Sequence, residues 1–114
     1  MQLDILLSDA SLTHIALSGR LDLKGVGQIR DQFVFNTTTR SVPALVDLSG
    51  VSFIASLGMG MLVEAAKALK NKGVSLVLLR PSQMVREALE MAGIHNVVSI
   101  AGDDTEARTM LAGE

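Results

Sequence analysis

The sequence predicts an α/β fold of one domain spanning residues 1–114, built on a mixed, mostly parallel sheet of about five strands with about four helices. Three observations lead there. Two apolar segments flank a polar turn at the start of the chain. Short apolar runs then alternate with segments of helical period. Gly, Pro, Ser or Asp punctuates most of the junctions.

In order, Leu3-Asp4-Ile5-Leu6-Leu7 and Leu12-Thr13-His14-Ile15-Ala16-Leu17 read as strands joined by Ser8-Asp9-Ala10-Ser11, an antiparallel hairpin. His14 is read on the face opposite Leu12 and Ala16, as a solvent-facing strand histidine. Ser18-Gly19-Arg20-Leu21-Asp22 reads as a turn, with Asp22 the N-cap of a helix through Val26, Ile29 and Phe33 to about Asn36. Thr37-Thr38-Thr39 and Pro43 end it, and Pro43 can stand only at the start of the next strand, Ala44 to Leu48. A second helix follows Ser56, with Met59, Leu62, Val63, Ala66 and Leu69 as its apolar stripe and Gly73 as its stop. Val74 to Leu79 is nearly all apolar, as in a strand covered on both faces. Ser82 caps a third helix that buries Val85, Ala88, Leu89 and Ala92 and ends at Gly93. Val97 to Ile100 is a last strand, and Asp103 with Glu106 forms a capping-box pattern for a final helix through Leu111.

Composition narrows the function classes. A hydrophobic content of 48% and a mean hydropathy of +0.39 come without an apolar run that could span a bilayer, so the hydrophobicity is assigned to buried strands and no membrane insertion is expected. The first residues lack the pattern of a signal peptide, and there is no cysteine for a disulfide framework or thiol chemistry, so the expected location is cytoplasmic. Net charge is −2, basic residues are scattered, and tryptophan and tyrosine are absent, which disfavours nucleic-acid binding. Few charges on a large apolar fraction leave surface suited to a protein partner.

If the second to fifth strands are parallel, their carboxyl ends share one edge, where ligands of open α/β sheets gather. That edge would present Gly19 to Asp22, Ser49 to Ser56, Arg80 to Ser82, and Ala101 to Asp104. Catalysis has poor support there. Ser56 lacks the flanking glycine of a nucleophile elbow, with Ile54 two residues before it. The only histidines are His14 and His95, and His95 is placed at the opposite edge. No acidic pair or metal-ligand spacing occurs, Gly58-Met59-Gly60 is too short for a dinucleotide fingerprint, and no phosphate-loop pattern is present. No catalytic residue, metal or cofactor is therefore expected.

Two compatible readings of Ser56 remain. It can act as an N-cap accepting the amide of Gly58 or Met59, worth about 1 kcal/mol. It can also be phosphorylated, since a helix start favours negative charge and a phosphate would bring roughly two charges to an apolar surface. Arg20 and Arg80, on loops that flank it, read first as solvated surface arginines and otherwise as phosphate partners. Met59, Met61, Met84 and Met91 could form a plastic docking surface; Met59 reads as core, Met61 and Met84 as exposed.

Val46-Asp47-Leu48-Ser49-Gly50-Val51-Ser52-Phe53-Ile54, followed by Ala55-Ser56-Leu57-Gly58-Met59-Gly60, resembles the STAS domain of anti-sigma-factor antagonists. There the strand end hydrophobic-Asp-Leu-Ser-Gly-Val precedes Asp-Ser-Ser-Gly-Leu-Gly. Ser18 to Asp22 is similar to the family's Gly-x-Leu-Asp turn. Val77 to Ser82, with Val85, Leu89 and Ala92-Gly93-Ile94, is similar to its fourth strand and following helix. This chain carries Ala55 for the family's aspartate and Leu57 for its second serine. The resemblance implies a partner switch: an anti-sigma factor with serine kinase activity phosphorylates Ser56, the unphosphorylated form sequesters that factor and frees a sigma factor, and a serine phosphatase resets the cycle. Edge and resemblance together make Gly19, Arg20, Leu21, Asp22, Ser49, Gly50, Ala55, Ser56, Leu57, Gly58, Met59, Met61, Arg80 and Ser82 the expected partner-binding residues. The resemblance also leaves an alternative, a STAS scaffold of stress-signalling assemblies or subunit of a lipid-transport ATPase complex that is never phosphorylated.

Overall fold

The hairpin forms: strands β1 (Gln2–Ser8) and β2 (Thr13–Leu21) pair antiparallel, and Asp9 closes the turn by accepting the amides of Ser11 (2.8 Å) and Leu12 (2.9 Å). The computed structural model of the protein describes residues 1–112. From β2 the chain alternates through α1 (Leu23–Asn36), β3 (Ala44–Ile54), α2 (Ser56–Asn71), β4 (Leu76–Leu79), α3 (Gln83–Met91), a short 3-10 turn (Ile94–Asn96), β5 (Ser99–Ala101) and α4 (Asp104–Ala112). The five strands lie in the order β1-β2-β3-β4-β5, with β2 to β5 mutually parallel, so the expected mixed sheet is present.

Alternation along the strands divides the interior between two faces. Ile15 and Leu17 of β2, Val46 and Leu48 of β3 and Leu78 of β4 join Val26, Ile29 and Phe33 of α1, Leu62, Ala65 and Leu69 of α2, and Val85 and Leu89 of α3 in the main core. The reverse face holds a smaller cluster in which Leu45, Val77, Leu79 and Ala101 pack against Ala107 of α4. β4 is buried along its whole length, as its unbroken apolar run requires.

Several helix ends match the sequence chemistry. Asp22 caps α1, its Oδ1 accepting the Gly25 amide at 2.9 Å, and Ser82 caps α3 through the Val85 amide at 3.3 Å. Gly73 and Gly93 follow α2 and α3 with φ of 80° and 74°, the left-handed conformation that glycine adopts without a Cβ clash. Asp103 accepts the Glu106 amide at 2.8 Å, while Glu106 reaches back to the Gly102 amide rather than to that of Asp103.

Five expectations need correction. Gly19 to Leu21 continue β2 instead of forming a turn, and β3 runs to Ile54 instead of stopping at Leu48. The two extensions explain each other, because Ser18–Leu21 pairs with Gly50–Ile54 and satisfies backbone that would otherwise need a turn. β4 begins at Leu76, and β5 is Ser99–Ala101. Finally, Thr13, Ile15 and Leu17 face the core, so His14 shares the reverse face with Leu12 and Ala16; it is half-buried rather than solvent-facing, and its Nε2 is buried without a partner.

Candidate functional site

The carboxyl ends of β2, β3, β4 and β5 come to one edge, as the alternating topology requires, and the longest strand there leads into Ser56. Beyond Asp47, which pairs with Leu79, β3 has no β4 partner and is accompanied only by the upper part of β2. This two-stranded extension carries α2 outward. Two close approaches lock it. The Ala55 amide donates to the Leu21 carbonyl at 3.0 Å, and a Cβ on Gly58 would stand 2.7 Å from both the Leu21 carbonyl oxygen and Leu21 Cγ. Gly58 is thus required because α2 starts against the end of β2.

Ser56 is not the cap. Ala55 occupies that position in extended conformation, no side chain caps α2, and the first intrahelical bond runs from the Met59 amide to the Ala55 carbonyl at 3.0 Å. Ser56 is the first helical residue and is exposed. The amides of Ser56, Leu57 and Gly58 precede that first bond and have no acceptor within the helix, so the helix start presents donors and the positive end of its dipole beside the serine hydroxyl. Leu57 stands 44% exposed next to it. Met59 is half-buried against the core. Met61 is buried, contrary to its expected exposure, because the inner face of α2 is centred on Gly58, Met61, Leu62 and Ala65. Met84, on the first turn of α3, is exposed as expected.

The charged residues of the edge are largely engaged within the chain. The Arg20 guanidinium lies 4.3 Å from the centre of the Phe53 ring and its Nε donates to Asp22 Oδ2 at 3.3 Å. The Gly25 amide, working against desolvation and joined by Arg20, holds the Asp22 carboxyl below the usual range. Arg20 therefore flanks the edge but is stacked and paired rather than free.

Arg80 does something different from what the sequence suggests. Its Nη2 donates to Asp47 Oδ2 at 3.2 Å and its Nη1 to Asp104 Oδ2 at 3.4 Å. Asp47 belongs to the sheet face that carries Leu45, so the guanidinium is drawn toward the α4 side, away from α2 and Ser56. Asp47 is 7% exposed. Burial works to raise its carboxyl, but the Ser49 amide (2.8 Å) and hydroxyl and the Arg80 guanidinium outweigh it and hold the group below its ordinary value. Asp47 was not singled out from the sequence, although a lone carboxylate in an otherwise apolar strand signals a paired buried charge. Phe53 beneath Arg20 gave no comparable signal.

Ser49 and Gly50 are exposed on the β3 extension, and Ser82 is exposed at the start of α3. Leu21 is buried and acts through packing. A hollow of about 230 Å³ lined by Arg20, Asp22, Lys24 and Gly25 lies beside the edge, smaller than pockets that enclose a cofactor. Among the described residues no group of three or more His, Cys, Asp or Glu side chains could hold a metal ion, and no helix is long and apolar enough to cross a membrane.

An antiparallel hairpin opening a parallel sheet, with an exposed serine at a helix start on the shared edge, defines the class of small α/β domains into which this chain falls. The chain belongs to the STAS domain family: the family model described as "Mlab, STAS domain" matches residues 7–100. Over 108 residues it is 23% identical to the anti-sigma-B factor antagonist of Listeria monocytogenes, covering 93% of this chain and 95% of that protein. The anti-sigma factor antagonist SpoIIAA in its unphosphorylated form superposes with a TM-score of 0.77 at 23% identity, covering 99% of this chain and 98% of the other. The phosphorylated form of the Bacillus cell fate determinant SpoIIAA gives 0.68 at 22% identity, covering 99% and 100%. At these identities the structural likeness shows the fold.

Proposed function

We propose that this chain is an anti-sigma factor antagonist, a protein-binding module rather than an enzyme. Its edge around Ser56 sequesters an anti-sigma factor with serine kinase activity, and phosphorylation of Ser56 by that kinase ends the binding. A serine phosphatase restores the active form. The observation that carries the reading is the exposed Ser56 hydroxyl at the uncapped start of α2. A phosphate there would meet free amides and a favourable dipole, and would set roughly two negative charges into a contact whose neighbours are Ala55 and Leu57. The near full-length relationship to an anti-sigma-B factor antagonist supports the same reading.

Incubation with the cognate kinase and ATP, resolved on phosphate-affinity gels, tests it. Wild type shifts and Ser56→Ala does not, while Ser56→Glu weakens binding of the anti-sigma factor by desolvating a charge in the contact. An unmodified wild type together with full affinity in Ser56→Glu overturns the switch.

Ala55 and Leu57 favour a second reading. They remove the capping carboxylate and second hydroxyl of the family pattern, as suits a scaffold or complex subunit that docks through the same edge without turning over phosphate. Stable binding that no kinase modulates would establish that alternative.

A further inference from the structure

The residue after β4 is tied to three other elements. The Arg80 amide donates to the Ala101 carbonyl of β5 at 2.8 Å, one arm of its guanidinium donates to Asp47 of β3, and the other arm reaches Asp104 at the start of α4. Arg80 is the one non-glycine residue with positive φ among the described residues, at 50°. A side chain is held in that conformation only where its surroundings compensate the strain, and here the compensation is visible as two carboxylates. Asp47 is not a surface partner of convenience: it is buried, and the same carboxylate accepts the Ser49 amide through its other oxygen. Asp47 is also the last residue of β3 paired with β4.

We propose that Arg80 is a positioning residue for the segment that presents Ser56. Acting through Asp47, it fixes the Ser49-Gly50 step where β3 parts from β4, and so sets the course of the β3 extension and the start of α2. Asp104 anchors the second arm of the guanidinium and couples α4 to that step from the reverse face of the sheet. A point charge could serve one carboxylate; the planar fork of arginine serves both. The functional consequence rests on the reading of the Ser56 edge as the partner surface, whereas the coupling itself is a property of this chain alone.

Amide hydrogen exchange, resolved by residue on the isolated chain, separates the two. Arg80→Gly relaxes the left-handed backbone, so the fold is retained while the clamp is removed. Exchange from Ser49 to Ile54 and at the first turn of α2 is expected to quicken roughly tenfold or more, the loss of one charge-assisted hydrogen bond, with Ala44–Asp47 unchanged. Arg80→Lys restores protection only in part, and Asp104→Ala quickens the same segment. Unchanged exchange from Ser49 to Ile54 in Arg80→Gly, an equal rise in Ala44–Asp47, full restoration by lysine, or an effect of Asp104→Ala confined to α4 would each overturn the proposal. Failure of the kinase and binding assays, with these exchange results intact, would sink the partner-switch reading and leave the clamp standing.

Discussion

At Asp22 one carboxylate serves two elements, and the consequence is measurable. Oδ1 caps α1 through the Gly25 amide and Oδ2 receives Arg20, which in turn lies over Phe53. Asp22→Ala removes the cap and is expected to destabilise the fold by about 1 kcal/mol, whereas Asp22→Asn keeps an acceptor and loses less than half of that. Urea denaturation of both variants checks the difference; equal losses would mean that the ion pair, not the cap, matters. Ser56 shows how a residue's role depends on one position of register. Shifting the helix start by a single residue leaves its hydroxyl without the capping task and available for another.

At the scale of elements, α2 is held by its contact with β2 and weakened by its own start. Ala55 has the extended conformation of a cap but no side chain to act as one. Ala55→Asp is therefore expected to stabilise the protein by about 1 kcal/mol, raising Tm by about 4 °C in thermal unfolding. No rise would show that the free amides already have partners. Gly58→Ala should act in the opposite sense. Its Cβ would fall 2.7 Å from the Leu21 carbonyl oxygen, so α2 must shift off β2 at a cost of about 1–3 kcal/mol, and the first turn of α2 should lose exchange protection before the rest of the helix.

At the scale of the whole molecule, acidity acts through three carboxyls that, among the described residues, are held below the ordinary aspartate value. The Ser11 amide lowers Asp9, the Gly25 amide lowers Asp22, and Asp47 is lowered by Ser49 and Arg80 in spite of its burial. A carboxyl depressed in the folded state adds stability that is complete above its unfolded value and is lost as pH falls through the folded value. The stability these three carboxyls contribute should therefore be constant above about pH 5 and decline below about pH 4. Asp47→Asn should be less stable than wild type near neutrality and show a shallower acid decline, both read from denaturant midpoints.

The element order, the hairpin, the caps at Asp22 and Ser82 and the stops at Gly73 and Gly93 were legible in the sequence because they follow from hydrophobic period and local backbone chemistry. So was the gathering of the loops at one edge, which follows from connectivity once the strands are parallel. The length of β3, the burial of Met61, the sharing of a face by His14 and Ala16, and the partners of Arg80 depart from what the sequence predicts. The first and last depend on pairing between residues far apart in the chain, and β3 continues past Leu48 only because β2 continues beside it. Ser56 lies between the two kinds of knowledge. Its exposure beside a helix start follows from the sequence around it, but its place as first helical residue, with Ala55 as an empty cap and Gly58 pressed on Leu21, was decided by how closely α2 packs against the end of β2.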